Sequence, residues 1–156
     1  MNPVTADYRM MTEPIAAMLK DTLGVAIEVQ MQEFASYTAA MNRRDVLPSF
    51  MTGWSGTMLD PNYFLELWLH GKSALNRVNY ANPAFDSLLD QANASTDRAR
   101  RAALFKQADQ LVASEVPLIP IMYTRFVYLV SPRVKGLEVV PLSLGFGPFR
   151  TVEVAR

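Results

Sequence analysis

Apolar residues recur at helical spacing in five stretches of this chain, and short runs between them alternate or turn β-rich. From about Asp7, the residues Met10, Met11, Ile15, Met18, Leu19 and Leu23 fall three and four apart, the spacing that gives a helix one apolar face. Pro14 fits that helix only in a first turn or at a bend. Gly24 follows the last apolar position as a C′ residue. Val25 to Met31 then alternates strictly, which predicts a strand with one polar face. A second helix is predicted over Phe34 to Asn42, with Phe34, Tyr37, Thr38 and Met41 on one side. The polar break Arg43-Arg44-Asp45 ends it, and Val46 to Thr52 reads as a second strand.

Beyond residue 60 the helix starts are written in capping chemistry. Asp60 as N-cap and Pro61 at the first helical position explain both residues together, which favours a cap over a ligand-binding carboxylate. Phe64, Leu67 and Trp68 are then the core face, and Gly71 ends the helix. Asn82-Pro83 repeats the device before Phe85, Leu88, Leu89 and Ala92. A polar loop, Gly71 to Tyr80, lies between. Ser95-Thr96-Asp97 offers the next cap, for a helix to about Ser114 with Leu104, Ala108, Leu111 and Val112 buried and Pro117 beyond it. Leu118 to Tyr123 and Phe126 to Val130 read as strands, the first at an edge or bend because of Pro120. Ser131-Pro132 breaks the second, and the tail after Pro141 reads as mostly irregular. Helices alternating with strands predict an α/β fold: an open sheet flanked by crossover helices, in a single domain over residues 1–156.

Composition narrows the functions. Fifteen basic and fifteen acidic residues cancel, which argues against nucleic acid, whose phosphates need a concentrated basic face. There are no cysteines, so disulfides, thiolate metal sites and cysteine nucleophiles are out. No apolar run approaches the ~20 residues of a membrane span. Asp7, Arg9, Glu13 and Lys20 interrupt any apolar core of a signal peptide at the N-terminus.

The stretch Gly53-Trp54-Ser55-Gly56-Thr57-Met58-Leu59-Asp60-Pro61 is the candidate binding loop. Its glycines permit close approach to backbone, and Trp54 offers a rigid apolar face with one N–H donor. The candidate ligand-binding residues are therefore Trp54, Ser55, Gly56, Thr57 and Met58. Catalysis has weaker support. A hydrolase would have to use His70, the one histidine, which has no recognisable nucleophile motif beside it. Neither a phosphate loop nor a dinucleotide fingerprint is present. A metal site would need His70 with scattered carboxylates such as Asp60, Asp86 and Asp90, of which Asp86 and Asp90 fit a solvated helix face. No catalytic residue, metal ligand or cofactor is expected.

The motifs in order resemble the C-terminal part of a family 5 (oligopeptide/dipeptide-type) solute-binding protein of ABC importers. The residues that carry the resemblance are Gly53-Trp54 with Asp60-Pro61, Asn76, and Tyr80-Ala81-Asn82-Pro83-Ala84-Phe85-Asp86. Arg101 with Leu104-Phe105, Pro117-Leu118-Ile119-Pro120, Val134-Lys135-Gly136-Leu137 and the Leu23-Gly24-Val25 turn complete it. The resemblance covers about residues 7–140. It implies a fragment of the C-terminal lobe of a periplasmic binding protein-like (class II) fold, in a longer two-lobed clamp. It also implies a small or peptide-like solute, permease partners and a periplasmic or extracellular site of action. In peptide-binding members the residue three after the motif tryptophan is an aspartate that pairs with the ligand's α-amino group. Thr57 stands there in this chain, and a hydroxyl gives no charge-assisted bond to an ammonium. A half-clamp would also expose surfaces that pack on the other lobe, which predicts self-association. A free-standing, self-associating interaction domain is the alternative reading.

Overall fold

The computed structural model describes residues 3–44, 49–54, 58–123, 127–140, 145–146 and 149–155. They fall into two units, Met1–Gly53 and Trp54–Arg156.

In the first unit, α1 (Pro3–Leu23) is the methionine-striped helix, with Pro14 inside it. Gly24, at φ +70°, closes it: its N–H bonds Lys20 O at 3.0 Å and the next N–H, of Val25, bonds Leu19 O at 3.3 Å. These bonds satisfy carbonyls that a helix end otherwise leaves open. The second helix, α2 (Phe34–Arg43), starts on a cap that the sequence did not advertise. The Glu33 carboxylate accepts the N–H groups of Ala35 and Ser36, and those bonds hold its pKa below the usual carboxylate value. Ala40 and Met41 are buried, and Tyr37 donates its hydroxyl hydrogen to Met51 O. Phe34, expected on the buried side, is 64% exposed.

Val25 to Met31 joins no ladder among the described residues, so the expected strand does not form there. Strict alternation says which face of a strand is apolar; it does not supply the neighbour whose N–H and C=O groups make the strand a sheet. For the expected strand Val46 to Thr52, residues 45–48 lie outside the described residues, and 49–52 join no ladder among the described residues.

The second unit is built on three helices, α3 (Asn62–Leu69), α4 (Pro83–Ala94) and α5 (Arg98–Glu115). Their apolar faces meet in one core of Trp68, Leu69, Phe85, Leu89, Ala92, Leu104, Phe105 and Ala108. Phe85, Leu89 and Ala92 are entirely buried, as their spacing required. The stripe expected on α3 is rotated. Trp68 is in the core and Leu67 packs against it, but Phe64 is 45% exposed and the buried partner is Leu69. The caps at Asn82 and Asp97 form as read, each side chain accepting two backbone N–H groups of the first turn. The α5 end at Val116 adopts φ 51°, left-handed for a β-branched residue, before Pro117.

Leu118 to Tyr123, and residues 127–130 of the expected strand Phe126 to Val130, likewise form no ladder among the described residues and lie exposed. Among the described residues, strands occur only after them. β1 (Val134–Lys135) pairs antiparallel with β4 (Glu153–Val154), Val134 opposite Val154. β2 (Val139–Val140) pairs antiparallel with β3 (Gly145–Phe146), Val139 opposite Phe146. The short 3₁₀ turn Phe149–Thr151 feeds β4. The tail expected to be irregular thus carries half of each ladder.

Candidate functional site

Trp54 is held from two sides by residues of α3. Its ring stacks on Tyr63, centroids 5.6 Å apart and planes 29° from parallel, and stands edge-on to Trp68 at 5.0 Å and 75°. Both are arrangements that aromatic quadrupoles favour. Trp68 is the buried member, with the Arg77 guanidinium 5.5 Å above its ring. Trp54 nevertheless keeps 40% of its surface open. Of the other loop residues, Met58 is 55% exposed; Ser55, Gly56 and Thr57 lie outside the described residues.

Asp60, at the far end of the loop, is engaged on both oxygens. One accepts the Asn62 N–H at 2.9 Å, which is the expected cap of α3, shifted by a residue because Pro61 already has helical angles. The carboxylate also takes a two-pronged ion pair from Arg101 on α5, at 2.8 and 2.9 Å. That pairing, led by the Arg101 hydrogen bond, holds the Asp60 carboxyl below the usual aspartate value, and Asp60 in turn raises the Arg101 pKa. The pairing was hidden in the sequence because its members are 41 positions apart. Arg101 also lies over the Phe105 ring at 4.6 Å.

The polar loop after α3 is organised by two buried polar side chains. Asn76, 2% exposed, donates to Leu69 O, His70 O and Tyr80 O, and accepts the Tyr80 N–H at 3.2 Å. His70 is 6% exposed. Its Nδ1 accepts the Lys72 N–H at 3.1 Å, which leaves the proton on Nε2, facing Asp90 Oδ1 at 3.4 Å. Asp86 accepts the Gly71 N–H at 3.0 Å. A cleft of ≈ 240 Å³ beside them is lined by Glu66, Leu67, His70, Lys72, Ser73 and Asp90. The one hydroxyl there, Ser73 Oγ, donates to Leu67 O and accepts the Leu75 N–H. His70 Nδ1 and Ser73 Oγ therefore both bond backbone of the turn, while Nε2 faces Asp90 on α4, an arrangement that holds a loop rather than activates a nucleophile. Among the described residues no group of three His, Asp or Glu side chains is placed to hold a metal ion, and no helix is long and apolar enough to cross a membrane.

No family model matches the chain. Individual relatives do. The chain is 31% identical over 130 residues to the oligopeptide-binding protein OppA of Bacillus subtilis, covering 83% of this chain and 24% of that protein. It is 35% identical over 135 residues to heme-binding protein A of Haemophilus influenzae, covering 85% of this chain and again 24% of the other. Among solved structures, the Escherichia coli murein tripeptide binding protein MppA superposes with a TM-score of 0.73 at 25% identity, over 96% of this chain and 29% of that one. The chain thus spans about a quarter of the length of the curated relatives it matches. These relatives are substrate-binding proteins rather than enzymes, and several carry "periplasmic" in their names.

Proposed function

Because the chain belongs to the family 5 solute-binding proteins and has the fold of their C-terminal lobe, we propose that it contributes one wall of a solute-binding cleft serving an ABC importer. It works outside the cytoplasm, without catalysis. Trp54, Ser55, Gly56, Thr57 and Met58 line that wall. The observation that carries the reading is Trp54: a ring stacked on Tyr63, edge-on to Trp68 and still 40% exposed is a prepared contact surface.

Thr57 supports a solute without a free ammonium at this position, such as a blocked peptide or an uncharged small molecule. Enclosing a solute takes concave walls on both sides, so these 156 residues alone are expected to bind weakly. The DNA upstream of Met1 is the first thing to read. An in-frame continuation encoding another lobe supports the importer reading, and that longer chain is then the one to titrate. Calorimetry with a tripeptide in free-amine and N-acetylated forms tests the ligand class. The acetylated form should bind at least as well, and Trp54→Ala should weaken it about tenfold, the equivalent of ~1.4 kcal/mol. A preference of more than about tenfold for the free amine would overturn the ligand class, since that is what a charged partner contributes.

A second reading rests on exposure. Ile119 (77%), Tyr123 (101%), Val127 (89%) and Leu129 (104%) are largely apolar residues open to water. A stop codon immediately before Met1 would turn the interpretation toward a self-associating domain made as such.

A further inference from the structure

We propose that Arg101 is a positioning residue for Trp54, acting through Asp60 and α3; the functional weight of this rests on Trp54 being a solute contact. The relay consists of short, directional links. Arg101 Nη1 and Nη2 grip the two oxygens of Asp60 at 2.8 and 2.9 Å. A planar fork on a carboxylate sets orientation as well as distance, which a point charge cannot do. The gripped carboxylate accepts the Asn62 N–H at 2.9 Å, and the Asp60 carbonyl accepts the Tyr63 N–H at 3.1 Å. These bonds fix where α3 begins and which way Tyr63 faces. Tyr63 and, further along the same helix, Trp68 are the two rings that hold Trp54. Arg101 itself is anchored by α5, where its guanidinium lies over Phe105, a core residue 4% exposed.

The consequence is that the loop's aromatic end is referenced to the core rather than left to local turn chemistry. Without the fork, Asp60 can still cap α3, but nothing pins the cap to α5. The rings would then sample several orientations, and Trp54 would lose its prepared face before a solute arrives.

The test is near-ultraviolet circular dichroism, which reads the mutual orientation of Trp54, Trp68 and Tyr63, on Arg101→Gln, Arg101→Lys, Asp60→Asn and the double variant Asp60→Asn/Arg101→Gln. Asp60→Asn keeps an oxygen to cap Asn62 and loses the charge and one prong of the fork. Each glutamine or asparagine variant should lower the aromatic signal about twofold with far-ultraviolet helix content retained, the double variant no further than either single, because coupled residues are not additive. Lysine should fall between, having charge without the fork. An unchanged aromatic signal in folded Arg101→Gln, or losses that add in the double variant, would overturn the proposal. Should Arg101→Gln fail to fold, Asp60→Asn decides alone by the same signal. Solute titration of Trp54→Ala is scored separately: if that variant binds as well as the original, the contact role of Trp54 fails while the spectrum still reports the relay.

Discussion

At the scale of single residues, the polar groups that matter are those whose partners come from far along the chain. Tyr80 donates to Glu115 Oε2 at 2.7 Å, and Asn82 donates to Glu115 Oε1 at the same distance, which fastens the start of α4 to the end of α5. Burial, and then the bond to Glu115, push the Tyr80 phenol up to about 12, while the two donors hold Glu115 below the usual carboxylate value. A phenol raised in the folded state contributes stability that is complete below its unfolded value, about 10, and lost as pH rises through its folded value. Alkaline titration by phenolate absorbance should therefore show one tyrosine ionising late, near pH 12, with unfolding setting in over the same window. Glu115→Gln should bring that ionisation to lower pH. A titration with no ionisation near pH 12 would show that the contact is not held in solution.

At the scale of elements, two backbone positions make opposite predictions. Val116 closes α5 in the left-handed region, where a residue with a Cβ is strained by ~1–2 kcal/mol. Val116→Gly relieves that strain at an exposed site and should raise stability by about 1 kcal/mol in a urea melt, after allowance for the looser unfolded chain. Gly136 is the reverse case. At φ +70° it passes the 149–151 turn so closely that a Cβ would lie 2.0 Å from Thr151 O. Gly136→Ala must push the β1–β4 ladder apart. Hydrogen exchange should then speed up at the Ala155 amide, which bonds Arg133 O, and stay unchanged at the amides of α4. Uniform protection across both sites in the alanine variant would mean the turn can yield. The caps at Asn82 and Asp97 were legible in the sequence because capping is local chemistry: the side chain bonds amides two and three residues away. The Glu33 cap was not, because glutamate is an uncommon choice there. Phe64 was misplaced because spacing sets which residues share a helix face, whereas the rotation of that face is set by what α3 packs on.

At the scale of the whole molecule, exposed apolar residues set the behaviour in solution. Residues 118–123 and 127–130 combine β-rich sequence with exposure, the combination that invites pairing with another chain. The 156-residue chain by itself should therefore sediment as concentration-dependent oligomers. Leu129→Lys, which places a charge on a residue already exposed, should shift it toward monomer without loss of helix content. A clean monomer at all concentrations would count against both the association and the alternative reading built on it.

What the sequence determined by itself was local: five helices close to their expected places, the caps at Asn82 and Asp97, the buried faces of α4 and α5, the Asp60 cap, and the family through motifs in order. Each depends on residues within a turn or two of one another, or on their order along the chain. Tertiary structure alone decided that Arg101 grips Asp60, that Asn76 and His70 are buried, that Trp54 rests between Tyr63 and Trp68, and that the alternating segments find no described strand to pair with. Those outcomes depend on which distant surfaces meet, and hydrophobic periodicity specifies a face without specifying its partner.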